Sequence, residues 1–323
     1  MTAVLVGDVG GTNARFAIVD PDAKPLRIER RLDLPADEFA SFDAALGAYL
    51  DQLGREERPR IVAIGVAGPV TAGAVEFTNR DWRASEQDLR KAGFECALLI
   101  NDFAAAAFSV AVLDKQDFHA IGPELPGIAE EPITILGAGT GFGVSCLARY
   151  RHLAIPVATE GGHVGFAPQD DAEIAVLCAL SRRFGRVSIE RILSGPGLEN
   201  LHGALEEISG RGPPALSAAD IAAGGASGDA GCSAALEMFC AIFGAVAGDF
   251  ALAHGARGGV FIAGGIARKI EPLLRKSKFR RRFESKGRLS NYLEPIPTRL
   301  ILNEDAAFLG AALAGAQFGS RRN

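Results

Sequence analysis

Short apolar runs alternate along this chain with amphipathic segments, which is the pattern of an α/β protein. Residues 61–66 form a continuous apolar run, typical of a strand that is buried on both faces. In residues 39–53, apolar side chains recur about every 3.6 positions instead and predict a helix. By the same criteria we predict strands at 3–6, 15–19, 26–34, 61–66, 74–77, 97–100, 133–136, 144–150, 260–263 and 298–302. We predict helices at 39–53, 85–91, 103–113, 172–184, 198–206, 217–223, 231–254 and 305–317.

Two of the predicted strands run into turns rich in glycine and threonine and then return into a second apolar strand. Glycine permits a tight turn and a close approach of backbone N–H groups to a ligand, and threonine adds a hydroxyl donor, so such turns suit a phosphate. One such turn alone is more often a plain β-turn, whereas the repetition favours two walls around one polyphosphate. The turns contain Gly7, Asp8, Gly10, Gly11, Thr12 and Asn13, and Gly137, Gly139, Thr140 and Gly141.

Two common nucleotide signatures are missing from the sequence. It contains no Gly-Lys dipeptide, which excludes a P-loop, and no glycine cluster fits G-x-G-x-x-G. The hairpin type of phosphate loop remains. Asp8, at the end of the first strand, is either a solvent-facing turn residue or a ligand that holds Mg²⁺ through water, because Mg²⁺ loses its hydration shell reluctantly.

The length of 323 residues exceeds the usual size of a single core, so we predict two domains with a cleft between them. We place a small α/β domain at 1–115 and a large one at 116–302, with the helix in 303–323 packing back on the first. Hydrophobic residues make up 48% of the chain and charged residues 23%, which is ordinary for a soluble enzyme. The net charge of −5 argues against a nucleic-acid partner.

Cysteine usage and the N-terminal sequence favour a cytoplasmic location. The five cysteines are scattered and form no C-x-x-C motif, which indicates reduced thiols. We expect no signal peptide and no membrane span. The one strongly basic stretch, residues 268–288, holds ten Lys and Arg side chains interleaved with apolar ones, and we interpret it as the solvated face of a packed helix in preference to an interaction patch.

Polar residues follow the predicted strand 97–100, where the next helix begins. Asn101 and Asp102 are both favoured as N-caps of a helix. The alternative is a catalytic base, because active sites of α/β proteins gather at the carboxyl ends of strands. The two roles are compatible if they fall on different atoms of the pair.

The tetrapeptide from Glu160 to His163 is a further candidate. Its two central glycines disfavour a helix, so we predict a loop that presents a carboxylate and an imidazole in one pocket. Glu190 either adds a second carboxylate or forms a salt bridge with a nearby arginine. Ionised carboxylates only accept hydrogen bonds, so a cluster of them suits a ligand with several hydroxyl donors, such as a sugar.

Taken together and in order, these motifs closely resemble those of the bacterial ATP-dependent glucokinases of the hexokinase and actin-like superfamily. The match runs nearly from end to end. One departure is Ala67 before Gly68 and Pro69, where relatives often carry cysteine. The zinc-binding cysteine cluster of the related repressor and sugar-kinase family is absent. The matching segments are residues 5–15, 100–103, 137–141, 160–164, 194–197 and 261–266.

The resemblance implies a two-domain α/β fold of the actin-like, ribonuclease H-like type, with mixed sheets flanked by helices, and the phosphorylation of glucose by Mg-ATP. It implies that Asp102 is the general base and that Asn101, Glu160, His163 and Glu190 hold the other sugar hydroxyls. The two turns would bind the phosphates, Gly264 and Gly265 would lie at the adenosine, and the enzyme would be a homodimer. The alternatives are a kinase for another hexose or an amino sugar, and a sugar-binding regulator with little catalysis.

Overall fold

The computed structural model describes residues 3–77, 81–150, 153–212 and 215–319. Its backbone divides into two compact units. The first contains residues 1–117, 156–158 and 303–323, and the second contains residues 118–155 and 159–302. The division thus lies two residues beyond the expected one, and the short segment 156–158 groups with the first unit. Residues 320–323 of the predicted C-terminal segment lie outside the described residues.

The first unit is built on a five-stranded mixed sheet. Its elements up to residue 117 are β1 (Val4–Val9), β2 (Asn13–Val19), β3 (Ile28–Pro35), α1 (Phe42–Leu50), β4 (Ile61–Val66), β5 (Ala74–Glu76), β6 (Arg83–Ser85), α2 (Glu86–Lys91), β7 (Cys96–Asn101) and α3 (Asp102–Ser109). The strand order is β3-β2-β1-β4-β7, with the first two pairings antiparallel and the last two parallel. The carboxyl ends of β1, β4 and β7 therefore lie at one edge of the sheet.

The second unit repeats this plan with a six-stranded sheet. Its elements are β8 (Phe118–Ala120), β9 (Ile133–Ala138), β10 (Phe142–Tyr150), β11 (Leu153–Thr159), α4 (Asp171–Phe184), α5 (Gly195–Ile208), α6 (Ala218–Ala226), α7 (Ala230–His254), β12 (Gly259–Ala263), α8 (Gly265–Lys269), α9 (Glu271–Lys276), α10 (Phe279–Glu284), α11 (Ser290–Leu293) and β13 (Thr298–Ile301). The order is β11-β10-β9-β12-β13-β8. Again an antiparallel hairpin, β9 with β10, is followed by a parallel strand, β12, on the other side of β9.

The last helix, α12 (Ala306–Gly319), packs against α3 and the sheet of the first unit. Its close approach depends on Gly310, where any Cβ would overlap the carbonyl oxygen of Ala105. On the next turns of the helix, Gly315 lies against Val4 and Ala63 of the two central strands. Residues at both ends of the chain thus form one core.

Helix α7 is the central helix of the second unit. It is long and apolar enough to cross a membrane, but 67% of its most apolar window is buried, which is the behaviour of a core helix. Its Phe243 makes edge contacts with Phe142 and Phe279, at centroid distances of 5.6 and 5.5 Å. One face of α7 therefore supports the strand that follows the second glycine turn.

The structure corrects the interpretation of the basic stretch 268–288 as the solvated face of one helix. Three short helices, α8, α9 and α10, occupy most of it. Arg282 is largely buried and pairs with Glu173 at 2.5 Å and with Asp170 at 3.1 Å, and Arg280 pairs with Glu284 at 2.6 Å. Part of the positive charge therefore stabilises the fold. Strands β6, β8 and β11 were not predicted from the sequence.

Candidate functional site

The first glycine turn joins β1 to β2, so the predicted hairpin is confirmed. The N–H of Gly10 donates to the carbonyl oxygen of Asn13 at 3.0 Å, and the N–H of Ala36 donates to that of Thr12 at 2.9 Å. The turn is therefore held by backbone hydrogen bonds on both sides. Thr12 itself is exposed at the tip of the turn.

Asp8 stands opposite Arg15 across this hairpin. An Arg15 Nη1 lies 3.5 Å from an Asp8 carboxylate oxygen, and the Asp8 side chain is 30% exposed. Burial raises the pKa of Asp8, and the positive charge of Arg15 opposes that rise. Carboxylate oxygens that retain access to solvent fit a hydrated Mg²⁺, which takes oxygen ligands and keeps several waters.

Asn101 caps helix α3, which confirms the N-cap interpretation for this residue. Its Oδ1 accepts the N–H groups of Phe103 and Ala104 at 3.0 and 3.2 Å, and its Nδ2 donates to the carbonyl oxygen of Gly68 at 3.4 Å. Asp102 is the first residue of α3, and its Oδ1 accepts the N–H of Phe103 at 2.9 Å. The cap thus fixes the start of the helix that carries Asp102.

Asp8 and Asp102 lie at the same edge of the first unit's sheet. Asp8 is in register with Gly65 on β4, and Gly65 is in register with Ile100 on β7. Neighbouring strands are about 4.8 Å apart, so the backbones at these positions are separated by roughly 10 Å. A Cβ at Gly65 would come within 3.9 Å of the Cα of Asp102, which shows how closely β4 approaches the start of α3.

The second glycine turn joins β9 to β10, so this predicted hairpin is also confirmed. The N–H of Gly139 donates to the carbonyl oxygen of Gly141 at 2.8 Å, and the N–H of Gly195, at the start of α5, donates to that of Gly139 at 2.9 Å. Thr140 is exposed at the tip, as Thr12 is in the first turn. Each turn is therefore closed by one internal backbone hydrogen bond, accepts one backbone hydrogen bond from a later segment of its own unit, and exposes a threonine.

Backbone packing accounts for two of the glycines that the sequence assigned to the nucleotide. Gly137 faces Ala263 on β12, and a Cβ at Gly137 would overlap the carbonyl oxygen of that residue. Gly264 has a φ of +92° and lies against the carbonyl of Ala138. The fold requires glycine at both positions. Gly265, by contrast, opens α8 with free space where a Cβ would stand.

Where the sequence predicted a loop from Glu160 to His163, the structure has one 3-10 turn, Gly161–His163, and no α-helix. Glu160 Oε2 lies 3.7 Å from His163 Nδ1, and the two side chains are 58% and 64% exposed. An Arg186 guanidinium donates to the carbonyl oxygen of His163 at 2.6 Å. Gly162 is buried against the carbonyl of Phe142, which brings this loop to the end of the second turn.

Glu190 reaches the same point. Its Oε2 accepts the N–H of Phe142 at 2.9 Å, so one carboxylate oxygen supports the second turn where an arginine salt bridge was the alternative. The N–H of Ile189 donates to the carbonyl oxygen of Val164 at 2.9 Å and holds the Glu190 segment beside the preceding loop. The backbone of Phe142 is thus the common contact of the second turn, the Glu160 loop and Glu190. No sequence motif marks Phe142.

Comparison with known proteins identifies the family. A family model described as Glucokinase matches residues 5–318. The chain belongs to the glucokinase family. A glucokinase from Caulobacter sp. (strain K31) is 49% identical over 311 residues, which are 96% of this chain and 94% of that relative.

Solved structures agree with this membership. The glucokinase from an Antarctic psychrotroph has a TM-score of 0.90 at 35% identity, with 98% of this chain and 99% of that one covered. A ROK family glucokinase from Streptomyces griseus, solved with glucose and AMPPNP, has a TM-score of 0.64 at 18% identity over 98% of this chain and 99% of that one, and shows the fold alone. The predicted α/β actin-like fold, the family and its activity, ATP-dependent phosphorylation of glucose, are confirmed.

Proposed function

We propose that Asp102 is the general base of this glucose kinase and accepts the proton of the primary hydroxyl as that oxygen bonds to the γ-phosphorus of ATP. The supporting observation is its position at the first residue of α3, at the carboxyl edge of the sheet, with the capping side chain of Asn101 beside it. A loose phosphoryl-transfer transition state needs positioning and charge neutralisation, so one oriented carboxylate is sufficient as the base.

The other sugar hydroxyls are held by Asn101, Glu160, His163 and Glu190. The exposure of Glu160 and His163, side by side in one loop, supports this role, since their polar atoms are accessible to a ligand. Glu190 uses one oxygen on the Phe142 N–H and offers the carboxylate's remaining acceptor capacity to a hydroxyl. Asn101 uses its oxygen for the helix cap and one amide hydrogen for the carbonyl oxygen of Gly68, which leaves the second amide hydrogen to donate to the sugar.

ATP is bound by the two glycine turns. Support comes from the exposed threonines and from Gly10 and Gly139, at which a Cβ would meet nothing within 4 Å and φ is not positive. The fold does not require glycine at these two positions, whereas a closely approaching phosphate would. The proposed nucleotide-binding residues are Asp8, Gly10, Gly11, Thr12, Asn13, Gly137, Gly139, Thr140, Gly141, Gly264 and Gly265.

Mg²⁺ is the proposed cofactor, held at Asp8 through water. When it is bound, the ion neutralises negative charge on the phosphates. The proposed location is the cytoplasm, and the proposed pathway is glycolysis. Support for a reducing compartment comes from the five free cysteines of the structure. The proposed homodimer rests on the family resemblance.

The substitution Asp102→Asn tests the base. We expect turnover in a coupled ADP-release assay to fall by about 10² to 10⁴-fold, because that is the usual contribution of general-base catalysis. Glucose binding should change by no more than a few-fold, since asparagine retains an oxygen for the Phe103 N–H. Asp43→Asn is the matched control, because Asp43 lies in the first turn of α1 in the same unit. Near-normal turnover of Asp102→Asn would reject the assignment.

A further inference from the structure

Five side chains of alternating charge connect Asp8 to the start of the C-terminal helix. We call this series the ion-pair chain: Asp8, Arg15, Asp33, Arg31 and Asp305. The successive nitrogen to oxygen distances are 3.5 Å, 3.8 Å, 2.8 Å and 2.5 Å. All five residues belong to the first unit.

The sheet sets the order of this chain. Asp8 on β1, Arg15 on β2 and Asp33 on β3 are in-register neighbours across three strands, so they follow one another on one face. Arg31 is two residues from Asp33 on β3, beside a register shift of that strand, and its hydrogen bonds to Asp33 place its guanidinium on the same face. Its guanidinium also lies 5.7 Å from the ring centre of Phe308 on α12, next to Asp305.

The two ion pairs of Arg31, with Asp33 and with Asp305, have the shortest distances in the ion-pair chain. Arg31 donates to both oxygens of Asp33, at 2.8 and 3.0 Å, and these hydrogen bonds lower the pKa of Asp33. With both Asp33 oxygens engaged by Arg31, Arg15 lies 3.8 Å from Asp33 and 3.5 Å from Asp8. Without Arg31, Asp33 would become the nearest strong acceptor for Arg15.

We propose that Arg31 and Asp305 are positioning residues for Asp8: they keep Asp33 occupied, and so hold Arg15 against the Asp8 carboxylate in the orientation that receives the hydrated metal. The inference rests on the proposed role of Asp8. Single exposed ion pairs contribute little, but a network of several charges with bidentate geometry fixes side chains together. Outer partners of this kind tune metal affinity by orienting the ligand.

The substitution Arg31→Gln separates positioning from simple charge. Removing a positive charge near a cation site would strengthen metal binding if only long-range electrostatics acted, whereas loss of positioning weakens it. The probe is AMPPNP, whose Kd is measured by calorimetry with and without Mn²⁺. The Kd without Mn²⁺ divided by the Kd with Mn²⁺ is the ratio that reports the metal's contribution. We expect Arg31→Gln to reduce this ratio by about 3 to 10-fold, below the effect of losing a direct partner.

Arg30→Gln is the matched control, because Arg30 is adjacent on β3 and pairs with Glu57 at 2.7 Å, outside the ion-pair chain. It should leave the ratio unchanged. Asp305→Asn, which removes the last link with little change of shape, should lower the ratio in the same direction as Arg31→Gln and serves as the second variant if Arg31→Gln unfolds. The KM for glucose should stay within about twofold in all three.

A double variant that combines Arg31→Gln with Asp8→Asn completes the test. If the ion-pair chain acts through Asp8, Arg31→Gln should have no further effect on the ratio in that background. A ratio that is unchanged or raised in Arg31→Gln would overturn the inference while leaving Asp8 in its role. A ratio that Asp8→Asn by itself fails to lower would reject the role of Asp8, and the inference with it.

Discussion

The two glycine turns are both held by backbone hydrogen bonds and both expose a threonine, but their surroundings differ. Charged side chains flank the first, where Asp8 faces Arg15 at the head of the ion-pair chain. Packed backbone flanks the second, where Gly137 lies on Ala263 and a single carboxylate, Glu190, holds Phe142. We infer that substitutions around the first turn change the binding of metal and phosphate. Many substitutions around the second turn should mainly lower the stability of the fold.

Gly137→Ala and Gly139→Ala sharpen this contrast within the second turn. Gly137→Ala forces a methyl group into a backbone carbonyl, so we expect it to lower the free energy of unfolding by about 3 kcal/mol. Gly139→Ala meets open space, so its stability should stay within about 1 kcal/mol of the parent. Its KM for ATP should instead rise about tenfold, equivalent to ~1.4 kcal/mol of binding.

Urea unfolding and steady-state kinetics measure the two effects side by side. Equal loss of stability in both variants would contradict the distinction between a packing glycine and a ligand-facing glycine. An unchanged KM for ATP in Gly139→Ala would remove the second turn from the proposed nucleotide site.

Glu190 belongs to both the turn and the proposed sugar site, and two substitutions separate these roles. Glu190→Gln keeps an oxygen that can accept the Phe142 N–H, so the KM for ATP should change little. The loss of the charge should raise the KM for glucose about tenfold, because hydrogen bonds to charged groups contribute ~1.5 to 3 kcal/mol. Glu190→Ala leaves the turn unsupported and should raise both values. If Glu190→Gln had the glucose KM of the parent, Glu190 would be a structural residue only.

The smallest expected effect concerns His254, which supports β9 behind the second turn. Its Nδ1 is 2.8 Å from the Thr134 hydroxyl, and burial lowers the pKa of this histidine. Because the unfolded chain binds a proton more readily, stability is fully present above pH ~6.5 and falls as the pH drops toward the lowered pKa. Between pH 7.5 and 5.5 the Tm of the parent should fall about 1 to 2 °C more than that of His254→Asn. Parallel curves for the two proteins would exclude His254 as the cause.

Local sequence signals predicted the parts of the fold that local chemistry determines. The two hairpins follow from glycine-rich turns between apolar strands, and the cap of α3 follows from Asn101 at a strand end. Strand β11 was not predicted because Pro156 interrupts its apolar run, and proline is tolerated only at a sheet edge, where β11 lies with Leu153, Ile155 and Val157 exposed. The interpretation of the basic stretch was wrong because Arg282 is neutralised by Asp170 and Glu173, which are more than 100 residues away in the sequence.

The same division applies to the candidate site. Residue type and motif order pointed to Asp8, Asp102, Glu160 and Glu190. They could not reveal the ion-pair chain, since Arg31 and Asp305 are 274 residues apart in sequence. They could not reveal Phe142 either, because it acts through its backbone N–H and carbonyl and any side chain has those groups. Long-range pairing and backbone contacts are properties of the folded chain only.

The docking of α12 also has a consequence for biosynthesis. Residues 306–319 leave the ribosome after the entire second unit, yet they cover the sheet that begins at Val4. During translation the core of the first unit therefore stays incomplete until the second unit has been made. The faces of β1 and β4 that later contact Gly315 are uncovered during that time. A nascent chain that stops before Asp305 would have the proposed base and both turns in sequence, but an unfinished first core for chaperones and proteases to recognise.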